Sequence, residues 1–176
     1  MSQIATHKNI PNLWIGIGCQ KGSSQKLFAT AIEKVFQENQ LNENAIEGVA
    51  TIDKKASELG LREFCNLRRF PLKIFSAAIL STVPVPNPSK TPQKQLGTSS
   101  VAEAAAILAA SHTFPGLGIT QDVANTLTTE AQITQRNQDL RDILLLVPKY
   151  IFRLRGEPGT VTVAVACVTE FCGKNS

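Results

Sequence analysis

The residues best suited to chemistry lie close together near the N-terminus, in the segment 12–24 with the sequence NLWIGIGCQKGSS. A short apolar run at 13–17 leads into a glycine-rich turn that also carries lysine, cysteine and serine side chains. Backbone N–H groups at the start of a helix carry partial positive charge, and glycine lets a ligand approach them closely. The segment therefore predicts an anion-binding turn between a strand and a helix.

The spacing of this turn differs from that of two nucleotide-binding motifs. Its glycine comes one position too late for the GxGxxG dinucleotide fingerprint, and the GxxxxGK[ST] spacing of a nucleotide P-loop is absent. A tight strand-to-helix turn without any ligand is the competing interpretation. The candidate ligand-binding residues in the segment are Gly16, Gly18, Cys19, Lys21, Gly22, Ser23 and Ser24.

Two further elements place polar residues beside this turn. Apolar residues at helical spacing predict a helix over 27–36, and alternating residues predict a second strand over 45–52, followed by Asp53 and Lys54. Ligands gather at the carboxyl ends of strands in open α/β sheets, so Asp53 and Lys54 are expected on the same edge as Gly18. Capping of a short helix is the competing role for Asp53, which is also a candidate catalytic base.

A second helix start follows a GTSS turn formed by Gly97, Thr98, Ser99 and Ser100. Ser100 and Glu103 have the S-x-x-E spacing of a capping box, which opens an alanine-rich helix. Ordinary capping accounts for both residues. Glu103 is also a candidate catalytic base, although one carboxylate without a partner does not make an acid–base pair.

The remaining patterns complete the elements of an α/β domain. Apolar spacing predicts a helix at 61–68, and short apolar runs predict strands at 71–75, 143–147 and 161–167. The last two strands are joined by a turn without a helix, which predicts an antiparallel hairpin. The sheet is therefore expected to be mixed.

Composition and length indicate one domain with a sizeable core, because 43% of the 176 residues are hydrophobic. We expect a flexible leader at 1–11 and a single domain at 12–172, with a polar insertion at about 112–140. No run approaches the ~20 apolar residues of a membrane span, and the N-terminus has no apolar signal region. A cytoplasmic protein without a membrane partner is the resulting expectation.

The cysteines and histidines argue against a metal centre. Four cysteines are scattered without a CxxC pair, and the chain has two histidines. We therefore expect reduced, mostly buried thiols, no metal and no cofactor.

Basic residues form two groups that lack neighbouring acids. No Asp or Glu lies between Glu63 and Glu103, and Lys149, Arg153 and Arg155 form a second acid-free group. Such groups attract polyanions, although a solvated basic face is the commonest explanation. Aromatic residues are not interleaved with the basic ones, so nucleic acid is not favoured as a partner. A small molecule with several carboxylates or phosphates fits the pattern better.

Four segments in order carry a family resemblance: GIGCQKGSS at 16–24, ATIDKKASELGL at 50–61, VPNPSKTPQKQLGTSSVAEAAAILAA at 85–110, and LLVPKYIFRLRGEPGTVTVAVA at 145–166. Together they resemble the CbiG/CobE family of cobalamin biosynthesis. In that family, CobE is a small protein that matches the C-terminal domain of CbiG, the cobalt-precorrin-5A hydrolase.

The resemblance implies a three-layer α/β/α sandwich with a mixed, mostly parallel sheet of about five strands, and a role in corrin-ring assembly. It implies a precorrin or cobalt-precorrin intermediate as the ligand, an apolar macrocycle surrounded by carboxylates. By position, it implies that the loop at 16–24, Asp53 and Lys54, the segment 97–103 and Lys149 are candidate ligand-binding residues. The motifs are also similar to domains fused to a precorrin-3B methyltransferase in some bacteria. Other corrin-pathway enzymes are therefore implied as partners, and the chain would be a fragment or a detached copy of such a fusion.

Three functions remain as alternatives. The preferred one is binding of a polycarboxylate precorrin or corrin intermediate. The second is cobalt-precorrin-5A hydrolase activity, a lactone opening that releases acetaldehyde, although the full-length hydrolase has N-terminal regions that this sequence lacks. The third is an unrelated nucleotide- or anion-binding module, with a purely structural subunit as the remainder.

Overall fold

The computed structural model describes residues 12–86, 100–111 and 140–169. The predicted leader, Gly97, Thr98, Ser99 and nearly all of the predicted insertion lie outside these ranges. Five strands form one sheet within them. They are β1 (Leu13–Cys19), β2 (Ile46–Ile52), β3 (Leu72–Phe75), β4 (Ile143–Phe152) and β5 (Val161–Val168).

The sheet is mixed, with the strand order β3-β2-β1-β5-β4. The pairs β1–β2 and β2–β3 are parallel, whereas β5 is antiparallel to both β1 and β4. Four of these five strands therefore run in one direction. The predicted mixed sheet and the predicted antiparallel hairpin of the last two strands are both confirmed.

Helices cover both faces of the sheet. On one face lie α1 (Gln25–Glu38) and α2 (Leu59–Arg68), and on the other lie the short α3 (Ala77–Leu80) and α4 (Val101–Ser111). The inward side chains of β1 and β5 alternate between two hydrophobic cores, so that Ile15 packs under α1 while Ala164 packs under α4. The structure is a three-layer α/β/α sandwich, as predicted.

The alanine-rich sequence of α4 allows this helix to lie very close to the centre of the sheet. A Cβ atom at Gly16 of β1 would overlap the carbonyl oxygen of Ala102. Helix and strand approach this closely only because one partner has no side chain and the other has a small one. Gly16 is therefore required for packing.

Strand β4 is longer than predicted and irregular. The predicted strand covered only the apolar run that ends at residue 147, and the next residue, Pro148, cannot donate to a strand ladder. The strand continues to Phe152 because it is an edge strand with irregular pairing on both sides of Val147. Val147 pairs with Val165, and Tyr150 pairs with Val163. Two residues lie between these positions on β4 but only one lies between them on β5, so β4 bulges at Pro148 and Lys149.

The cysteine prediction is confirmed in part. Cys19 and Cys65 are free thiols. Cys167, by contrast, is disulfide-bonded, so the expectation of reduced thiols is wrong for this residue.

Candidate functional site

A cleft of about 360 Å³ opens where the start of α4 meets the carboxyl end of β1. Its walls come from β1, β4, β5 and the first turn of α4. The lining residues are Gly18, Cys19, Gln20, Ser100, Val101, Ala102, Lys149, Ile151, Arg153, Thr160 and Thr162.

The base of the cleft is a row of residues across three strands. Gly18 on β1 pairs with Thr162 on β5, and Thr162 pairs in turn with Ile151 on β4. The backbone N–H of Gln20 donates a hydrogen bond to the carbonyl of Thr160 at 3.0 Å, which continues the row beyond the end of β1. Because Gly18 has no side chain, the row leaves open space beside α4.

One side of the cleft is a strip formed by the end of β4 and the residue after it, in which cationic and apolar side chains alternate. Lys149, Ile151 and Arg153 are two residues apart and therefore point to the same face of the strand. Ile151 is 58% exposed although it is a large apolar residue, and Arg153 is also exposed. This cationic strip presents two positive charges separated by an apolar contact surface.

The first turn of α4 forms the opposite side. Ser100 is buried, and its hydroxyl oxygen accepts a hydrogen bond from the Glu103 N–H at 3.5 Å. The partial positive charge of this helix start faces the same space as Lys149 and Arg153. The cleft therefore combines three sources of positive potential.

Glu103 connects the two sides. Its carboxylate is fully buried, and Oε1 accepts a hydrogen bond from the backbone N–H of Lys149 at 2.8 Å. In the predicted capping box the Glu103 side chain would turn back to its own helix. It instead reaches the bulge of β4, a contact that the sequence spacing did not predict.

Cys19 lines the cleft as a protonated thiol. Burial raises the pKa of this thiol to about 11, with a smaller opposing effect from Lys55 and a smaller reinforcing one from Glu58. At neutral pH the residue is therefore a weakly polar wall of the cleft and not a thiolate nucleophile.

The predicted anion-binding turn lies beside the cleft, and the chain's own carboxylates bind two of its donors. The Gly22 N–H donates to Glu58 Oε2 at 3.1 Å, and the Ser24 hydroxyl donates to Glu157 Oε2 at 2.7 Å. Ser24 is also the N-cap of α1, and the Ser23 hydroxyl donates to the carbonyl of Gln20. These contacts stabilise the strand-to-helix turn.

Three further candidate residues are exposed at the same edge of the sheet. Lys21 lies in the turn after β1, and Asp53 and Lys54 follow β2 in a 3₁₀ helix. Asp53 begins this helix instead of capping it, and its Oδ1 accepts a hydrogen bond from the Lys54 N–H at 2.7 Å. Lys21, Asp53 and Lys54 do not line the cleft formed by the described residues.

The first acid-free basic group has structural contacts. Arg68 forms ion pairs with Glu33 at 2.9 Å and Glu43 at 3.2 Å, which join α2 to α1 and to the segment before β2. Lys73 lies 4.0 Å from the ring centroid of Trp14, and burial lowers the pKa of its amine. Among the residues that the structure describes, the cations of the cleft come from the second basic group.

Sequence reasoning missed several lining residues. Gln20, Thr160 and Thr162 reach the cleft through the antiparallel register of β1 and β5, which depends on residues far apart in the chain. Arg153 was within reach of prediction, because K-Y-I-F-R at 149–153 has the period-two pattern that places cations on one strand face.

Comparison with known families decides what kind of domain carries this cleft. The family model described as cobalamin synthesis G C-terminus matches residues 13–166. The chain belongs to this family. Cobalamin biosynthesis is therefore the process in which this CbiG C-terminal-type domain acts, as the resemblance of the four segments implied.

One curated relative of the domain is the cobalt-precorrin-5A hydrolase of Priestia megaterium. It is 33% identical over 96 residues, which are 54% of this chain and 26% of the relative. The matched region thus spans about a quarter of the length of that hydrolase.

Solved structures share the fold over nearly the whole chain. CobE, a protein from the cobalamin (vitamin B12) biosynthetic pathway, is 26% identical with a TM-score of 0.63, covering 90% of this chain and 92% of its own. Cobalamin biosynthesis protein chiG from Agrobacterium tumefaciens is 23% identical with a TM-score of 0.54, covering 89% of this chain and 98% of its own. The likeness to chiG concerns the fold alone.

The described residues contain neither a membrane-spanning helix nor a cluster of metal ligands. Their helices include none with the length and apolar character of a membrane span. No three histidine, cysteine or acidic side chains in these ranges lie together as metal ligands would.

Proposed function

We propose that this domain binds a polycarboxylate precorrin or cobalt-precorrin intermediate in the cleft between β4 and α4 during corrin-ring assembly. The observation that carries the proposal is the cationic strip of β4, with Lys149, Ile151 and Arg153, opposite the first turn of α4. An apolar macrocycle edged with carboxylates presents the complementary pattern.

The charges of the strip suit carboxylates at the rim of a flat ligand. Lys149 and Arg153 are four residues apart on an extended strand, so they can contact two carboxylates that flank one apolar edge. Hydrogen bonds to charged groups contribute about 1.5–3 kcal/mol each when shielded, and less where solvent screens them. Ile151 supplies the apolar contact between the two cations.

The size of the cleft suggests how much of the ligand it takes. Its volume of about 360 Å³ is at the lower end of small-molecule sites, which span roughly 300–1,000 Å³. We infer that one edge of the macrocycle enters the cleft. The rest remains available to other enzymes of the pathway, among which a precorrin-3B methyltransferase is a proposed partner. The cytoplasmic location of the protein remains a prediction from the sequence.

Titration of the protein with hydrogenobyrinic acid, a cobalt-free polycarboxylate corrinoid, tests the proposal through the ligand's absorption spectrum. We expect a saturable spectral change, and a dissociation constant about tenfold higher for Lys149→Ala and for Arg153→Ala, because each removes one charged contact. Arg62→Ala is the matched control, since Arg62 is exposed on α2 at the opposite face of the sheet. No spectral change, or equal weakening by all three variants, contradicts the proposal.

Hydrolysis of cobalt-precorrin-5A is the second candidate function, and the sequence identity with the Priestia megaterium hydrolase favours it. Lactone opening needs a base within reach of the attacking water. The residues that line the described cleft include no carboxylate. Of the two candidate bases, Glu103 is buried and Asp53 lies outside the cleft lining, so we propose binding as the role of this domain.

An acetaldehyde assay with purified protein and cobalt-precorrin-5A separates the two functions. We expect no acetaldehyde above the protein-free control, together with binding of the intermediate. Turnover that disappears in Asp53→Asn or Glu103→Gln would establish the hydrolase instead. ATP or NAD binding without corrinoid binding would identify a nucleotide module.

A further inference from the structure

We propose that Glu103 is a positioning residue that holds Lys149 and the first turn of α4 in the relative geometry that the ligand requires. This inference rests on the proposed function, because it concerns the same cleft. Glu103 does not itself line the cleft. Its neighbours Ser100 and Ala102 line one side, and Lys149, whose N–H it binds, lines the other.

The bulge in β4 creates the need for this contact. Lys149 lies where β4 has one more residue than β5, between the pairs Val147–Val165 and Tyr150–Val163. A bulge disrupts the ladder locally, and a part-buried backbone N–H such as that of Lys149 then needs another acceptor. The Glu103 carboxylate supplies that acceptor at 2.8 Å.

The packing of α4 against the sheet restrains the position of the Glu103 carboxylate. Glu103 is fully buried in the first turn of α4, and its own N–H contacts the Ser100 hydroxyl. The adjacent turn of α4 cannot shift toward the sheet, because the carbonyl of Ala102 already lies against Gly16. A charge-assisted hydrogen bond from such a rigid support restrains the backbone at Lys149 strongly.

The charge of Glu103 and its hydrogen bond to Lys149 have opposite expected effects on ligand affinity. A carboxylate near a site for a polyanion weakens binding by Coulomb repulsion, so removal of its charge should tighten binding if charge were its main effect. A positioning role depends instead on an acceptor oxygen at the correct reach. Two conservative variants separate these effects.

Glu103→Gln removes the charge but keeps the length and an acceptor oxygen, whereas Glu103→Asp keeps the charge but shortens the side chain by one methylene. In titrations with hydrogenobyrinic acid, we expect Glu103→Gln to stay within about threefold of the wild-type dissociation constant, and Glu103→Asp to raise it about tenfold. Glu33→Gln is the control for net charge, because Glu33 lies on α1 at the opposite face of the sheet. It should leave the constant unchanged.

Hydrogen exchange of the Lys149 amide in ligand-free protein gives a second readout that needs no ligand. We expect this amide to be protected in the wild type and in Glu103→Gln, and to exchange faster in Glu103→Asp. Wild-type affinity of Glu103→Asp, or equal losses in both variants, would overturn the proposal.

The two proposals fail in different ways. If wild-type protein does not bind hydrogenobyrinic acid, the proposed function fails. Fast exchange of the Lys149 amide in ligand-free wild-type protein would refute the Glu103 contact, whatever the result of the titration. If Glu103→Asp does not fold, the affinity and amide exchange of Glu103→Gln decide: loss of either overturns the positioning role, and retention of both supports it.

Discussion

Two glycines of β1 that are only two positions apart have different physical roles. A side chain at Gly16 would overlap the Ala102 carbonyl of α4, whereas a Cβ at Gly18 would meet the Thr162 Cβ at an ordinary 3.7 Å. Both glycines were candidate ligand contacts in the sequence. Gly18 lines the cleft, and Gly16 determines how close α4 lies to the sheet.

Gly16→Ala should therefore destabilise the protein by about 1–3 kcal/mol, because the added methyl group forces helix and strand apart. Gly18→Ala, the matched control, should change the free energy of unfolding by less than about 0.5 kcal/mol. Urea denaturation of both variants measures the difference. Equal stabilities would contradict the close contact between α4 and β1.

The Cys19 thiol should react slowly with iodoacetamide. Because burial raises its pKa from an ordinary value of 9.0 to about 11, its thiolate fraction at pH 8 is about a hundredfold lower than that of an ordinary thiol. The alkylation rate should rise with pH up to about 11. Mass spectrometry of the Cys19 peptide measures this rate, and a plateau near pH 9 would contradict the burial of the thiol.

At the scale of secondary-structure elements, each end of α4 has a distinct partner. Its first turn contacts β4 through Glu103, and its last turn contacts β3 through Lys73, whose Nζ donates to the carbonyl of Ala109 at 3.4 Å. A cation at a helix C-terminus is favourable, and the Trp14 ring beneath Lys73 adds a cation–π contact. The helix is thus anchored across the sheet in both directions.

Lys73→Met keeps most of the apolar stem and removes the charge, so it should lower the free energy of unfolding by about 1–2 kcal/mol. It should also change the fluorescence of Trp14, the single tryptophan of the chain. Lys34→Met is the control. The Lys34 Nζ lies farther from an aromatic ring, at 5.8 Å from the Phe152 centroid, and the Lys34 side chain is about half exposed. Equal effects of the two substitutions on stability would argue against the anchoring role of Lys73.

Features that depend on neighbouring residues could be predicted from the sequence, whereas features that depend on distant segments could not. The strand-to-helix turn after β1 follows from neighbouring residues, and it was predicted. The continuation of β4 past Pro148 depends on edge position and bulging, which a single strand sequence does not reveal. Thr160 and Thr162 lie beside Gly18 through a register between distant segments, so the β5 side of the cleft was missed. The residue patterns predicted its β1 and α4 sides, and the family resemblance added Lys149 on β4.

At the scale of the whole molecule, the net charge of +4 is less informative than its placement. Arg68 and Lys73 stabilise contacts between elements, while Lys149 and Arg153 face the cleft with the start of α4. Positive potential concentrated in one concave site favours a multiply charged anion over a neutral ligand. This placement supports the proposal that the domain holds one edge of a polycarboxylate intermediate of cobalamin biosynthesis.

Amide chemical-shift mapping of the protein titrated with hydrogenobyrinic acid tests this account most directly. We predict saturable shifts for the cleft residues Gly18, Ser100, Lys149 and Thr162, while Arg62 and Glu33 on the opposite face remain unchanged. Shifts confined to the turn at Lys21 and Gly22, or no shifts at all, would contradict the assignment of the cleft as the corrinoid site.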